Sequence, residues 1–571
     1  MSLVEAFRSE RRWMTAGILF AVAVIFLNLG SDGMYAAQEG RTAIITRNML
    51  LSGNFLDMNA DEGIPYEKPV GHYWLCLPFA KLFRLDAPEP IDVAAEWALR
   101  LPSALSAMLA IAVAAALAAR IYGARCAAIT MMVLSSMPIS NNLARLAHID
   151  MPLAAAFALA MYFLYTGYFE EWRCNRRIYG FYAVLGWGMV LKGPLVVILA
   201  GLTILGMMLW SRRWRMIREL RPLSGGLVFL LVALPWYVVE TIRTDGAFFD
   251  EFIVNQNLRR FTGIGSTYRE GKRMPLWYYG PKLPAVTLPW SLAAIAAAVF
   301  YGRRLIRLKF RMPTVFLLMW FATGFVFFSL SALKRSDYLL PIIPPLAVLT
   351  ARAIETGCRS LPPLSRRWIW GVAAIALLLT VGLILNRSGV VTAFGERVVD
   401  GKISWVNDGD GRNIVLFSTF VNRFFPLAVL AAALLVASIG GGCRLAEHRN
   451  HFAVLGLIFA AVLAAILAYN CAIQPGTDRL KSVKPFVRQA HKLIPPGGKV
   501  GYSGGYNTEL VFFLNRECHR RRIDFHHVMT SPKRAAALRK ENPERWRELF
   551  RTPAGHHYPI VMLERLDLPT P

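Results

Sequence analysis

Residues 98–119, ALRLPSALSAMLAIAVAAALAA, form an apolar run of roughly the 20 residues that cross hydrocarbon as a helix. Arg120 and Arg125 close the run, and a fresh one opens at Cys126. Similar runs open along the chain near Trp13, Ala98, Cys126, Met151, Ile178, Pro194, Leu223, Val286, Pro313, Tyr338, Trp368, Arg423 and Phe452. About thirteen spanning helices are therefore expected. A hydrophobic content of 55% and a mean hydropathy of +0.40 exceed what a soluble core needs. The chain reads as a polytopic α-helical membrane protein.

Charge orients it, because cytoplasmic loops carry the excess Lys and Arg. With the N-terminus inside, the inner gaps hold Arg11 and Arg12, then Arg120 and Arg125, then Arg173, Arg176 and Arg177, and onward to Arg444 and Arg449. The net charge of +27 is then largely topological, and no nucleic-acid partner is implied. The opening segment has signal-like features but reads as a retained helix.

The outer side receives loops 31–96, 240–285 and 386–422 and, after an odd helix number, the tail. Residues 1–473 are expected to form the membrane domain and 474–571 a small soluble α/β domain on the periplasmic face. In that tail, Val483–Leu493 reads as an amphipathic helix, and Gly498–Tyr502, Leu510–Leu514 and Pro559–Leu563 read as strands. Seven scattered cysteines imply no disulfide framework.

Five short polar segments interrupt the apolar runs, all on the outer side: Gln38–Arg41, Tyr66–Pro69, Arg145–Asp150, Leu191–Pro194 and Lys334–Pro341. Glu39, Arg41 and Lys68 fall in one loop at membrane depth, where charge is costly without a partner or a substrate. A mutual salt bridge is the bland alternative. Asp150 precedes Met-Pro-Leu and reads as a helix cap that stays ionised, with His148 and Asp150 as an alternative metal pair. Lys192 sits in a break too tight for a loop, with its ammonium free. Arg145, Arg259, Arg260, Lys334 and Arg335 add outer cations against the usual bias, which calls for an anion such as a lipid-linked phosphate.

These residues carry a resemblance. Glu39-Gly40-Arg41, Tyr66-Glu67-Lys68-Pro69, Asp150-Met151-Pro152-Leu153, Leu191-Lys192-Gly193-Pro194, Asn257-Leu258-Arg259-Arg260-Phe261 and Tyr338-Leu339-Leu340-Pro341 follow one another in an order that resembles the GT-C superfamily membrane glycosyltransferases. The branch is that of the lipid A aminoarabinose transferase and the protein O-mannosyltransferases, and the likeness runs from Trp13 to about Ala351.

The resemblance implies an inverting enzyme of the bacterial inner membrane, working on the periplasmic face. It would move a sugar, such as 4-amino-4-deoxy-L-arabinose, from polyprenyl phosphate to lipid A or another envelope glycolipid. Transfer to protein Ser or Thr, and binding or flipping of the donor without turnover, are the alternatives. Lys68, Arg260, Lys192 and Arg41 would hold the donor phosphate. Tyr338, Arg145, Lys334 and Tyr66 would line the cavity, and Glu39 and Asp150 would serve the acceptor. A divalent metal is left open, with Glu67 as a ligand but no His near Gln256 to accompany it. Membrane lipids, donor and acceptor are the expected partners of a monomer.

The departure is Gln38, where the family carries an aspartate directly before the glutamate. Either Glu39 takes the acidic role, or Asp150 serves alone, or turnover is absent. An acceptor that attacks as an anion would need no base, whereas a hydroxyl gains about 10² to 10⁴ in rate from one.

Overall fold

The computed structural model describes the chain apart from residues 1–2, 32, 35–36, 59–67, 88–93, 171–174, 260–273, 307–310, 361, 364–367, 400–413, 416–417, 420, 423–424, 449, 476–481, 495–497, 504–506, 516, 521, 553–558 and 569–571. A helix begins close to most of the positions where an apolar run opens, whereas Trp13 falls inside a helix that starts at Leu3 and Val286 ends a short one, Tyr279–Val286. The first nine helices are α1 (Leu3–Phe26), α2 (Ala37–Ser52), α3 (Gly71–Leu82), α4 (Ala95–Tyr122), α5 (Ala124–Ser136), α6 (Pro138–Ala144), α7 (Asp150–Leu164), α8 (Asn175–Lys192) and α9 (Leu195–Ser211). Among the described residues, 7 helices are long and apolar enough to cross a membrane, including Ala95–Tyr122, Met312–Leu330 and His451–Cys471.

The chain divides into two compact units. One joins Met1–Ala353 with Leu480–Pro571, and the other comprises Ile354–Arg479. The second holds the helices Trp368–Arg387, Val390–Val399, Phe425–Glu447 and His451–Ala468. Within it, Asn386 Nδ2 donates to Ser418 O at 3.2 Å and to Asn422 Oδ1 at 3.1 Å.

In the first unit, small residues let helices approach. Alanines such as Ala104, Ala107, Ala114 and Ala118 bury the inner face of α4, and α1, α5 and α7 pack around it. Without a hydrophobic force between helices in lipid, close packing of this kind is what holds them together.

The tail of this unit carries a five-stranded mixed sheet. Its strands are β1 (Lys499–Ser503), β2 (Glu517–Arg520), β3 (His527–Thr530), β4 (Trp546–Arg551) and β5 (Val561–Arg565), in the order β2-β1-β3-β5-β4. β1 pairs in parallel with β2 and β3, while β5 runs antiparallel to β3 and β4. The amphipathic segment forms a helix over Lys484–Leu493.

One expectation fails. Leu510–Leu514 is not a strand but most of a helix, Thr508–Leu514. Asn507 caps it, its Oδ1 accepting from Leu510 N at 3.0 Å. Leu510, Phe512, Phe513 and Leu514 are all nearly fully buried, and an apolar run hidden on every side has no period to betray its type.

This helix packs against α2. Gly40 makes the approach possible, because a Cβ built there would lie 2.3 Å from Thr508 Oγ1. One face of α2 further on, Arg47 donates to Asn515 Oδ1 and, at 3.1 Å, to Ala87 O. Glu509, 1% exposed, accepts from Met34 N at 3.3 Å just before α2 begins. Lys484 pairs with Glu96 in the first turn of α4 and lies over the Phe513 ring. The tail thus grips α2 and the first turn of α4.

Candidate active site

Helix α2 divides its side chains between two environments. Gln38, Arg41, Thr42 and Ile45, spaced i, i+3, i+4 and i+7, share one face and line a small open cleft. Lys68, His72 and Tyr73 line the same cleft from α3 and the residues before it, and Ala147 and Ile149 close it.

Glu39 lies roughly 100° around the helix from Gln38, and it points inward. Its Oε1 accepts from Arg100 Nε at 2.9 Å and from Ala147 N at 2.9 Å, and its Oε2 accepts from Arg100 Nη2 at 3.1 Å. Arg100 also donates to Leu29 O at 3.0 Å and to Gly33 O at 2.9 Å. The network ties the end of α1, the start of α2, α4 and the loop before α7. Every oxygen and most of the guanidinium are satisfied, which is the condition for a buried pair to be tolerated.

Asp150 does not cap α7. It is the first helical residue, its side chain bonds none of the opening N–H groups, and its carboxylate instead accepts from Lys192. The reason is geometric: α7 and α8 are packed neighbours, so the last turn of α8 delivers the Lys192 ammonium to the first turn of α7. A full charge outbids neutral N–H donors. The expectation that Lys192 is free is therefore corrected, and its ammonium also sits 5.2 Å from the centre of the Tyr338 ring.

Gly193 holds this break. Its φ of +94° is left-handed, and a Cβ would come 2.7 Å from the Phe252 ring. Phe252 belongs to the helical segment Phe249–Arg259, where Glu251 accepts from Asn255 at 2.9 Å and from Gln256 at 2.7 Å.

His148 Nδ1 accepts from Asp150 N at 3.3 Å and lies 3.3 Å from Asp150 Oδ2. Burial pushes its pKa below the usual histidine value, with Asp150 opposing and Lys68 and Lys192 assisting. His148, Asp150 and Asp337 bring ligand atoms within 4.8 Å of one another. They fit a divalent ion poorly, since Lys192 already binds Asp150 and Arg335 binds Asp337 at 2.7 Å.

His72 is buried, and its Nδ1 has no hydrogen bond of normal geometry. Nε2 lies 4.0 Å from Cys76 Sγ. Burial, then the charges of His148 and Lys68, lower its pKa to about 3, with the Ala147 carbonyl and Asp150 opposing. The ring is neutral at physiological pH.

Two expected cavity residues are occupied elsewhere. Arg145 donates to Ile25 O at 2.9 Å, Leu27 O at 2.8 Å and Asn28 O at 2.8 Å, satisfying the open end of α1. Lys334 donates to Ser331 O at 2.5 Å and Met274 O at 3.0 Å, closing the end of the Met312–Leu330 helix. Tyr66, Glu67 and Arg260 lie outside the described residues.

Arg100 and His72 were not singled out in the sequence. Arg100, a cation within an apolar run, was the legible signal. His72 had none, since a lone histidine near an aromatic pair is ordinary.

Residues 67–238 match the family of dolichyl-phosphate-mannose-protein mannosyltransferases. An undecaprenyl phosphate-alpha-4-amino-4-deoxy-L-arabinose arabinosyl transferase of Pseudomonas fluorescens is 29% identical over 361 residues, covering 62% of this chain and 60% of that protein. The Pseudomonas aeruginosa counterpart is 28% identical over 357 residues, covering 61% of each. The chain thus matches about three fifths of the length of these relatives. The crystal structure of ArnT from Cupriavidus metallidurans bound to undecaprenyl phosphate superposes with a TM-score of 0.73 at 20% identity, over 98% of this chain and 99% of that one.

In sequence and in fold, the chain resembles the GT-C membrane glycosyltransferases. Within this fold, the residues that line the cleft come from α2, α3, the residues between them and the loop before α7.

Proposed function

We propose that the chain is an inverting integral membrane glycosyltransferase that moves a sugar from polyprenyl phosphate to lipid A or another envelope glycolipid. The supporting observation is the cleft itself, which Arg41 and Lys68 line together with Gln38 and His72. Two cations at one cleft suit a phosphate, which Arg binds in a planar fork and Lys as a point charge. Charge develops on that phosphate as the glycosidic bond breaks, so cations placed there stabilise the transition state.

Lys68 and Arg41, with Arg260, hold the donor phosphate in this reading. Lys192, paired with Asp150 and stacked on Tyr338, borders the sugar side. Glu39 and Asp150 act by holding cations and helix ends in place rather than by direct contact. The sugar is 4-amino-4-deoxy-L-arabinose or a relative of it, as in the names of the similar Pseudomonas enzymes. About thirteen crossings with the N-terminus inside would put the cleft and the domain of residues 474–571 in the periplasm of a monomeric inner-membrane protein.

The occupied state of both acids favours one other reading, a protein that binds or flips the donor without turnover. Mass spectrometry of envelope glycolipids and polyprenyl-phosphate sugars separates the two. In cells lacking the protein, one glycoform is expected to vanish and its donor to accumulate. Wild type should restore it, and Lys68→Ala with Arg41→Ala should not. Unchanged glycolipids in the knockout would remove the transferase reading.

A further inference from the structure

We propose that His72 is the proton acceptor in the transfer, taking the proton from the attacking oxygen of the acceptor. This rests on the transferase reading above.

The cleft limits the choice. Gln38 faces it but has no basic atom. Glu39 turns away from it, with both oxygens on Arg100, and Asp150 is held by Lys192 with His148 against its other oxygen. His148 spends its Nδ1 on Asp150 N. Among the described residues that line the cleft, His72 is the one whose side chain carries a basic nitrogen that is uncharged at neutral pH.

Its surroundings keep the lone pair available. Burial itself, His148 from the loop before α7 and Lys68 four residues earlier in the chain all disfavour the imidazolium. The Ala147 carbonyl and Asp150 favour it, and Cys76 one turn along α3 is a buried thiol that carries no charge. Arg41 adds a further cation across the cleft. A donor phosphate docked on Lys68 and Arg41 offsets the share of the depression that comes from Lys68. Basicity then rises when the donor is bound, while burial and His148 still hold it below the ordinary histidine value.

The step balances without another reagent. The acceptor oxygen attacks the anomeric carbon, and the bond from that carbon to the phosphate oxygen breaks. The electron pair leaves on polyprenyl phosphate, held by Lys68 and Arg41. The acceptor proton passes to an imidazole nitrogen of His72 and from there to the released phosphate or to water. The acceptor class follows: an oxygen that arrives protonated, as a hydroxyl or a singly ionised phosphate, not a fully ionised one.

The test uses the full chain in vesicles with undecaprenyl-phosphate 4-amino-4-deoxy-L-arabinose as donor and lipid A as acceptor. His72→Asn and His72→Gln are expected to lose about 10² to 10⁴ in kcat. Binding of undecaprenyl phosphate, read by native mass spectrometry, should change less than about threefold, because the cations remain. The acid limb of the wild-type pH profile should disappear from the residual rate. Gln38→Asp restores a carboxylate to the same cleft, and in the His72→Asn background it is expected to recover at least about tenfold. Variants with kcat within about threefold of an active wild type, or a loss that Gln38→Asp leaves untouched while donor binding collapses, would overturn the proposal. A wild type that binds the donor yet never transfers it defeats the transferase reading instead.

Discussion

Glu39 and Arg100 form a two-pronged ion pair 1% and 2% exposed, with Arg100 Nε and Nη2 at 2.9 and 3.1 Å from the two carboxylate oxygens. One residue earlier, Gln38 faces the cleft. Neighbours in sequence therefore serve different ends, one packing the membrane unit and the other lining the cleft. A glutamate locked in this way cannot substitute for an acid at position 38 without first releasing Arg100 into a buried site.

Breaking that pair from either side leaves a buried charge uncompensated, at a cost of about 3–5 kcal/mol. Glu39→Gln and Arg100→Met singly are expected to lower the thermal unfolding midpoint of the purified protein sharply. The double variant should recover much of the loss, since neither charge is then stranded. Additive losses in the double variant would mean that the two side chains do not act as a unit.

At the cleft, each charged hydrogen bond to phosphate contributes about 1.5–3 kcal/mol. Lys68→Ala and Arg41→Ala are each expected to weaken undecaprenyl phosphate binding by roughly 10- to 100-fold, with little effect on folding. Titration in vesicles checks this, and the affinity should fall further with added salt in the wild type than in either variant.

The contact between Gly40 and Thr508 leaves no space for a methyl group, at 2.3 Å from the Thr508 hydroxyl and 2.6 Å from its Cβ. Gly40→Ala is expected to destabilise by about 1–3 kcal/mol and to expose the tail to protease. Thr508→Gly in the same chain should return part of that loss. Equal proteolysis of all three proteins would show that α2 and the Thr508–Leu514 helix do not depend on one another.

Acid should weaken the fold through His72. Above about pH 6.5 the ring is neutral in both folded and unfolded chains, and stability is flat with respect to this group. Between 6.5 and about 3, the unfolded chain takes up a proton that the folded one refuses. Stability then falls as pH drops, by up to about 1.4 kcal/mol per pH unit. His72→Gln should flatten the midpoint-against-pH curve over that window, with His148 contributing the slope that remains.

The helices were legible because a span is a local property. Twenty apolar residues cannot leave the bilayer or satisfy their backbone any other way, so Ala98–Ala119 and its counterparts announced themselves. The polar segments were equally plain, since charge beside hydrocarbon stands out against its neighbours. The Thr508–Leu514 helix was misread because burial on all sides erases the periodicity that separates helix from strand.

By itself, then, the sequence determined where the long apolar helices run, which segments are polar and which cations share those segments with Gln38, Glu39 and Asp150. Only the tertiary structure decided what each of those groups does. Arg100 claims Glu39 from 61 residues away, Lys192 claims Asp150 from 42 away, and Asn515 claims Arg47 from 468 away. Side-chain direction on a helix is set by rotation about its axis, and that rotation is fixed by whatever packs against it. His72 entered the cleft by the same route: Gly71, beside the backbone of Val190, lets α3 lie close to α8.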